Sequence, residues 1–243
     1  QGREGIAGKP TGTSYMYART IILLGTDMRD SARTRETLLD TAIELVRQSN
    51  YDSVGVNDIC VRAGVTKGAF YHHFESKAEL YTAAADHYWS EMKQALDAVC
   101  SPSEPPLDQL EKLIDFVIAR QRAESPAFGQ RCPDGEPLEV ANCPFFTCGV
   151  YVGAAEDKVR QATLAMAEKG IRYYEALVRA LKAGGCLAGN PDPAQVARLL
   201  FQYMHGLLIY GRVKNSLSAI ETDLREGFYR LLELKPEHRR LAP

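Results

Sequence analysis

The sequence predicts an all-helical protein with a small N-terminal three-helix domain and a larger C-terminal helical domain. Three observations favour this fold class. Apolar residues recur at intervals of three and four along most of the chain, which is the spacing of one helix face. Helix-capping residues and glycines stand between these segments. Near residue 64, two short helices are joined by a tight glycine turn, and such a pair, braced by a longer first helix, is typical of a helix-turn-helix.

The composition of the 243 residues is that of an ordinary globular protein. Hydrophobic residues make up 45% and charged residues 25% of the chain, and the net charge of -2 gives no overall basic signal for nucleic acid. The apolar run from Ile21 to Leu24 is too short to cross a bilayer or to act as a signal peptide. Six cysteines over this length do not match a secreted disulfide framework. We therefore expect a cytoplasmic protein with no membrane partner.

Residues 1–27 are expected to be a disordered leader before the first domain. This stretch is rich in glycine and has no helical period. The first helix is predicted from about Ser31 to Ser49, where apolar residues repeat with a period of 3.6. Ser31 is a suitable N-cap, and Asn50 can end the helix in a left-handed conformation.

The second and third helices are short and follow each other closely. The second is predicted over Val56 to Ala63, and Gly64 stands where a helix stops and the chain reverses. Thr66 fits the N-cap of the third helix. Val65 and Phe70 have the spacing of a hydrophobic staple around that cap.

A capping box is predicted at the start of the fourth helix. Ser76 and Glu79 match the S-x-x-E pattern, in which each side chain bonds the other residue's backbone N–H. This start sets the expected boundary between an N-terminal domain of residues 28–76 and a C-terminal domain of residues 77–243.

The third helix carries residue types suited to DNA. Gly68 and Ala69 are small, so the helix N-terminus can approach base edges closely, and Lys67 can donate to guanine. Lys77 lies in the first turn of the fourth helix, where a cation and free backbone N–H groups together suit a phosphate. The third helix would present Thr66, Lys67, Gly68, Ala69, Tyr71, His72 and His73.

The stretch from about Arg33 to Tyr81 resembles the DNA-binding domain of the TetR family of transcriptional regulators. The resemblance lies in Gly-Val-Thr-Lys-Gly at 64–68, Phe-Tyr-His-His-Phe at 70–74 and Ser-Lys-x-x-Leu at 76–80. It implies that the helices at 56–63 and 67–73 form the helix-turn-helix. It further implies base contacts from Asn57, Lys67, Gly68 and Ala69, and phosphate contacts from Tyr71, His73 and Lys77.

One residue departs from the family pattern. The second helix usually opens with Thr or Ser, and this chain has Gly55 there. Glycine is an acceptable N-cap, but a side-chain phosphate contact is lost. Gly55 and Val56 remain DNA-facing candidates beside Asn57. Residues 28–90 contain seven Lys or Arg and nine Asp or Glu, so phosphate contacts depend on locally placed donors.

Metal and cofactor sites are not expected. His72 and His73 stand close to Glu75, but adjacent helix residues point about 100° apart, so the imidazoles should not converge on a metal. The three cysteines between residues 132 and 148 lack a nearby fourth zinc ligand. The chain also has no G-x-G-x-x-G, phosphate loop or H-E-x-x-H motif, so we do not expect an enzyme.

The C-terminal domain is predicted to be a set of longer helices. An irregular stretch with four prolines covers 125–144, and Gly184 with Gly185 ends the helix after it. Pro193 fits the first turn of the next helix, and Pro236 stops the last one. The predicted helices are about Leu80–Val99, Leu107–Arg122, Ala155–Ala183, Asp192–Val213 and Ser218–Leu234.

The last two helices favour a homodimer. The helix from Ala194 to Tyr210 is apolar nearly all round, which indicates burial on most sides. The last helix has an apolar stripe from Leu217 to Leu232. In the TetR family these two helices pair with their twins in a four-helix bundle, and a helix-turn-helix reader typically needs two half-sites. A monomeric core is the alternative.

A ligand pocket is predicted among the helices between Leu107 and Gly184. Cys143 and Cys148 stand in an unusual aromatic segment, whose Asn-Cys-Pro step looks similar to a Gly-Cys-x-x-Gly-Asn segment of some TetR-like regulators, although the glycines do not match. The two cysteines are either small buried hydrophobes or a reactive pair whose thiolate lies near a helix start. The candidate ligand-binding residues are Phe116, Cys143, Phe145, Phe146, Cys148, Tyr173 and Tyr174.

The resemblance implies a ligand-responsive, nucleoid-associated transcriptional regulator. The expected form is a repressor that binds a palindromic double-stranded DNA operator as a homodimer and is released by a small-molecule inducer. An alternative on the same scaffold is a cysteine-based sensor of electrophiles or oxidants, as in some relatives. A helical interaction module with a vestigial helix-turn-helix is a further alternative.

Overall fold

Helices form the regular structure of the described part of the chain. The computed structural model describes residues 30–47, 51–127, 140, 143–146 and 157–240. In these ranges the β-type pairing is limited to one bridge, between Leu187 and Leu234. The helices are α1 (30–47), α2 (Val56–Ala63), α3 (Lys67–His73), α4 (Lys77–Val99), α5 (Pro106–Ala127), α6 (144–146), α7 (Asp157–Ala183), α8 (Pro193–Lys214) and α9 (Leu217–Leu231), with a final 3-10 turn at Pro236–His238.

The all-helical prediction is confirmed, and local chemistry explains the ends of α2 and α3. Gly64 ends α2 with a φ of 66°, a left-handed conformation that glycine adopts without strain. The Oγ1 atom of Thr66 accepts a hydrogen bond from the Ala69 N–H at 3.1 Å and so caps α3. Val65 packs against the core cluster that contains the fully buried Phe70, as a hydrophobic staple would.

The starts of α1 and α4 differ in detail from the prediction. Residue 30 is already helical, so Ser31 lies inside α1 and is not its N-cap. Ser76 caps α4 by accepting from the Glu79 N–H at 3.1 Å. The Glu79 carboxylate accepts from the N–H of Glu75 at 2.6 Å, one residue before the donor of a full capping box. The predicted leader and Asn50 lie outside the described residues.

The end of α9 falls three residues before the predicted Leu234. Glu233 has a φ of 50°, which takes the chain out of the helix. The Glu233 carbonyl then accepts from the Ala188 N–H at 2.8 Å, and the Lys235 N–H donates to the Cys186 carbonyl at 3.1 Å. Pairing with the α7–α8 connection therefore replaces the last helical turn, a tertiary effect that local periodicity does not encode.

Buried side chains form two clusters, and α4 contributes to both. Leu80 and Tyr81, near the start of α4, belong to the cluster that also holds α1, α2 and α3. Leu96, near its end, belongs to the cluster of α5, α7, α8 and α9. Trp89 and Met92 pack against both clusters. Helix α4 therefore links the N-terminal helices to the C-terminal helices, and α7 also contributes to both clusters, for example through Val159 and Ala167. Among the described helices, none has the length and apolar character that a membrane span requires.

Helices α8 and α9 approach each other closely within the chain. A Cβ atom on Gly211 would lie 2.9 Å from the Ile220 side chain, and one on Gly227 would overlap the Tyr203 ring. Leu224 and Phe228, from the middle of the predicted α9 stripe, are fully buried here. The α9 stripe fills the core of its own chain, so the expectation that it faces a partner chain is wrong for these residues.

Candidate nucleic-acid interface and ligand cavity

Helix α3 is anchored on one side and exposed on the other. Phe70 is fully buried beneath the helix. On the outer side, Lys67 and His72 are exposed, and the Tyr71 residue is 55% exposed. The Tyr71 ring packs edge to face on Phe70, with 5.2 Å between the ring centroids. A tyrosine held in this way keeps its hydroxyl in water, where it can donate to a phosphate.

The N-terminal end of α3 presents a smooth surface. A Cβ atom on Gly68 would find only the Oγ1 atom of Thr66 nearby, at 3.7 Å. Ala69 is half-buried, and Asn57 in the first turn of α2 is exposed. Because Gly68 has open space around it and Ala69 carries only a methyl group, the helix backbone can come close to the floor of a groove at these two positions.

Helix α2 begins at the exposed Gly55. The Gly55 N–H donates to the Asp58 carboxylate at 2.9 Å, and this contact stabilises the first turn without a capping side chain. Val56 packs partly against the core cluster below. Of the two candidates, Gly55 therefore offers exposed backbone, and Val56 mainly contributes packing.

The Lys77 ammonium group points towards the protein. Its Nζ atom donates to the carbonyl oxygens of Tyr51 at 2.9 Å and Val54 at 3.0 Å. It also lies 3.9 Å from the centroid of the Tyr51 ring. One of the three N–H donors remains for another acceptor. The predicted phosphate contact of Lys77 must therefore compete with an internal structural role.

The rings of His72 and His73 contact each other. Their centroids are 5.0 Å apart in an edge-to-face arrangement. Burial lowers the pKa of His73, and the nearby His72 and Arg35 lower it further. A neutral His73 has one N–H to donate. Within the described ranges, no third histidine, cysteine or carboxylate completes a metal-binding group with this pair.

A cavity of about 110 Å³ lies among the C-terminal helices. One water needs roughly 10–15 Å³ by this measure, so the space suits a small organic molecule. Apolar and aromatic side chains from α4, α5, α6, α7 and α8 form most of its wall. They include Trp89, Met92, Phe116, Phe146, Tyr174 and Phe201.

Two polar groups of this wall bond to neighbouring side chains. The Arg120 guanidinium donates to the Tyr88 hydroxyl at 3.1 Å and lies 3.7 Å from the Met92 sulfur. The buried Tyr174 hydroxyl donates to the Met204 thioether at 3.0 Å. Burial raises the pKa of Tyr174, so this hydroxyl remains protonated at neutral pH.

His205 is a further polar residue of the wall, which also contains Gln121. The His205 ring packs against the rings of Phe201 and Phe146, with centroid distances of 4.1 Å and 4.4 Å. Its Nδ1 atom is 2.9 Å from the Phe201 carbonyl oxygen. Burial lowers the pKa of His205 to about 4, although the Phe201 carbonyl opposes the shift. The imidazole is therefore neutral at physiological pH.

Cys143 lies at the edge of the same cavity, immediately before α6. Burial raises the pKa of its thiol, while the backbone N–H groups of Phe146 and Phe145 and the charges of Arg120 and Arg47 oppose the shift. The direction is opposite to the lowered pKa expected of a reactive thiolate. The thiol is thus present in the cavity but is protonated at neutral pH.

The helix-turn-helix is also the part of the chain that a family comparison recognises. The family described as bacterial regulatory proteins, tetR family, matches residues 38–84. This range begins within α1, includes the whole α2–turn–α3 unit and extends into α4. The chain belongs to the TetR family. Every predicted DNA-facing residue of this TetR chain, from Gly55 to Lys77, lies inside the matched range, and their individual contacts remain predictions.

Relatives of this TetR-family chain match most of its length. The transcriptional regulator AcuR of Cereibacter sphaeroides is 26% identical over 186 residues, which cover 76% of this chain and 79% of AcuR. The repressor NemR of Escherichia coli K12 is 26% identical over 195 residues, which cover 79% of this chain and 90% of NemR. A cysteine mutant of the TetR-family regulator CifR, solved with 26-bp double-strand operator DNA, has a TM-score of 0.61 at 17% identity, covering 83% and 96% of the two chains. The structural likeness shows that this chain and CifR share the TetR fold.

The cavity of this TetR-family chain contains some, but not all, of the predicted ligand-binding residues. Phe145 is buried away from it against the Tyr88 ring, at 5.5 Å between centroids. Tyr173 packs on Trp89 and bonds Asp97 outside the cavity, because successive helix residues face different sides. Cys148 lies outside the described residues. The predicted residues that line the cavity are Phe116, Cys143, Phe146 and Tyr174.

The lining residues that sequence reasoning missed lie on α4 and α8. Trp89 and Met92 belong to α4, which lies before the range from Leu107 to Gly184 in which the pocket is predicted. Phe201, Met204 and His205 belong to a helix that we assigned to the dimer. Their spacing of three and four was a usable signal. It was hidden because α8 is apolar on nearly all sides, so periodicity alone did not separate its inner from its outer face.

Proposed function

We propose that this TetR-family DNA-binding regulator is a repressor that binds a palindromic operator as a homodimer and is released by a small molecule in its cavity. As an operator-binding protein it would act on the nucleoid in the cytoplasm. The observation that carries the proposal is the position of α4. The start of this helix packs against α1, α2 and α3, which together form the DNA-binding domain of the proposal. Its second half lines the cavity.

The DNA contacts of the proposal come from the exposed start of α3 and the first turn of α2. Lys67 is assigned a base contact through its amine, and Gly68 and Ala69 provide the close approach. Tyr71 and His73 are assigned to phosphates. Thr66 and His72 flank these positions, and Asn57 is assigned a base contact from α2. Gly55 offers only its backbone. Lys77 mainly stabilises the DNA-binding domain through its bonds to the Tyr51 and Val54 carbonyls.

The homodimer of the proposal uses α8. Its exposed apolar residues are Leu199, Ile209, Tyr210 and Val213, which are 41%, 42%, 51% and 80% exposed. At 100° per residue, these positions fall within about 100° of each other around the helix. Gly206 lies on the same side with nothing within 4 Å of a Cβ atom built on it, so a second helix can approach closely. The exposed residues of α9 include the charged Asp223, Glu226 and Arg230.

Ligand control is proposed to pass along α4. A molecule in the cavity would touch Tyr88, Trp89 and Met92. A shift of this part of α4 would also move the DNA-binding domain, because Leu80 and Lys77 attach that domain to the start of the same helix. The ligand needs to favour the displaced arrangement by only about 1–3 kcal/mol to weaken DNA binding roughly 5- to 150-fold.

Selection of bound sequences from random DNA tests the DNA part of the proposal. A palindromic motif whose half-sites lie one or two helical turns apart, about 34 Å or a multiple, is the expected result. Binding should fall as salt rises to the extent that cationic side chains neutralise phosphates and release counterions, and the neutral Tyr71 and His73 contacts add nothing to this dependence. Recovery of no enriched motif at low salt would favour the alternative of a helical interaction module.

Cysteine sensing is a second candidate, favoured by the presence of Cys143 in the cavity wall. Modification by an electrophile or oxidant would add bulk next to Arg120 and Phe146 and displace α4 as a ligand would. Cys143→Ser discriminates between the two candidates. The sensor version requires that the variant binds operator DNA but no longer releases it with an electrophile, whereas reversible ligands should still release it.

A further inference from the structure

His205 directs an unused hydrogen-bond acceptor away from its own helix. The residue is 8% exposed and lines the cavity. A carbonyl oxygen can only accept, so the Nδ1 atom that faces the Phe201 carbonyl must carry the proton of the neutral ring. The Nε2 atom then has a lone pair and no proton. Among the described residues, no donor reaches Nε2.

The ring has little freedom to turn this acceptor elsewhere. Phe201 and Phe146 both pack against it, and the bond to the Phe201 carbonyl fixes its rotation. Nε2 lies at the end of the ring opposite the bonded nitrogen and Cγ. A ligand that supplies a donor to this acceptor gains a hydrogen bond that an apolar ligand cannot make.

The surrounding wall restricts what else the ligand can be. Trp89, Phe116 and Phe146 offer ring faces and edges, and Met92 and Met204 offer polarizable sulfur. A volume of about 110 Å³ suits a molecule of about one ring. A flat apolar body with a single polar end matches this wall.

We propose that the cavity binds a small, uncharged, planar molecule with one hydroxyl or N–H donor, and that the Nε2 atom of His205 accepts that donor. This assignment of ligand class rests on the proposed function, because it takes the cavity as the inducer site. His205 is then the residue that distinguishes a donor-bearing ligand from its apolar analogue of the same shape.

An anionic ligand is the competing class, because Arg120 is also in the wall. Two observations favour the uncharged class. The guanidinium already donates to the Tyr88 hydroxyl and lies against the Met92 sulfur, so part of its donor capacity is used within the protein. The lone pair of a neutral His205 would also repel the oxygen atoms of a carboxylate, and burial holds the pKa of this histidine at about 4.

A probe series on the full chain tests the proposal. Phenol has the ring and the donor, anisole has the ring and an ether oxygen without a donor, and benzoate has the ring and a charge at pH 7. Trp89 is the single tryptophan of the chain and lines the cavity, so its fluorescence reports binding at this site. We expect phenol to bind roughly 2- to 12-fold more tightly than anisole, the range that one net hydrogen bond gives.

His205→Phe removes the acceptor and keeps an aromatic ring packed against Phe201 and Phe146. It should bring the affinity for phenol down to that for anisole and leave the affinity for anisole nearly unchanged. His238→Phe is the matched control in the terminal 3-10 turn and should keep the preference for phenol. If His205→Phe does not fold, the ¹⁵N resonance of Nε2 in the unmodified chain decides, because phenol should shift it and anisole should not.

Equal affinity for phenol and anisole in the unmodified chain would overturn the proposal, as would an unchanged preference for phenol in His205→Phe. Tighter binding of benzoate than of phenol would replace the uncharged class by an anionic one. These measurements contain no DNA. Failure of the proposed function would instead appear as a lack of operator binding in the absence of any probe, so the two failures are distinguishable.

Discussion

The Nζ atom of Lys77 lies 2.9 Å from the carbonyl oxygen of Tyr51 and ties the first turn of α4 to the connection between α1 and α2. Lys77→Met keeps the aliphatic stem and removes the charge. We expect it to lower the free energy of unfolding by about 1–3 kcal/mol, because two carbonyls lose a charged donor at a half-exposed site. Urea denaturation followed by circular dichroism measures the loss.

The salt dependence of operator binding separates this role from a phosphate contact. If Lys77 acts through the fold, Lys77→Met should leave the slope of log K against log salt unchanged. A slope reduced by about one, with unchanged stability, would identify Lys77 as a phosphate ligand instead. Lys112→Met is the matched control, because Lys112 lies on α5 and forms a solvent-exposed ion pair with Glu104. It should change neither the free energy of unfolding nor the salt slope.

Lys67→Ala tests directly whether α3 recognises bases. Lys67 is exposed, so the substitution should leave the fold intact, weaken operator binding by about 1–3 kcal/mol and relax the preference for one base pair. Fluorescence anisotropy with the selected operator and with single-base variants measures both effects. Undiminished specific binding by a variant with both Lys67→Ala and Tyr71→Ala would remove α3 from the recognition role.

The ends of α2 and α3 could be predicted because their causes are local. The turn needs the left-handed conformation of Gly64, and the cap needs the hydroxyl of Thr66, so each signal is contained within a few residues. The end of α9 could not be predicted in this way. Glu233 leaves the helix to pair with the chain near Ala188, and periodicity carries no information about that distant segment.

The cavity was predicted only in part for a related reason. Tyr173 and Tyr174 are both aromatic, and only the second faces the cavity. Which one turns inward depends on how α7 is rotated against α4 and α8, and that rotation is set by packing over the whole helix. The internal contacts of Lys77 could not be predicted for the same reason. The carbonyls that accept hydrogen bonds from its ammonium group lie 23 and 26 residues earlier in the chain.

The proposed dimer predicts different results for substitutions on α8 and α9. Val213 is 80% exposed, so Val213→Asp together with Ile209→Asp should leave the monomer folded and dissociate the dimer. Sedimentation velocity and circular dichroism measure the two properties. Leu224→Asp places a charge in the core and should unfold the chain. Val61→Asp on α2, at 75% exposure, is the matched control. A double α8 variant that remains dimeric would exclude this surface.

The thiol of Cys143 is predicted to react slowly at neutral pH. The thiolate is the nucleophile, and burial raises the pKa of this thiol, so the thiolate fraction is smaller than in an unfolded chain. Iodoacetamide labelling, quantified by mass spectrometry of the Cys143 peptide, should keep accelerating above pH 9 in the folded protein. In urea the same peptide should level off near the ordinary thiol pKa. Fast labelling of the folded protein at pH 7 would instead support the sensor candidate.

His205 should make stability depend on pH in a defined window. Its folded-state pKa of about 4 lies below the ordinary 6.5, so between these values the unfolded chain binds a proton that the folded chain does not. Stability is therefore complete above about pH 6.5 and declines as the pH falls towards 4.

The expected loss is on the order of 3 kcal/mol per protomer. Carboxylates also titrate in this range, so the measured quantity is the difference between the unmodified chain and His205→Phe. Arg120, Cys143, Tyr88 and Tyr174 line the same cavity, and burial raises the pKa of Cys143 and of Tyr174, away from this range. Urea denaturation at pH 7, 5.5 and 4 should show the unmodified chain losing stability relative to His205→Phe, and parallel curves would contradict a buried neutral histidine at this position.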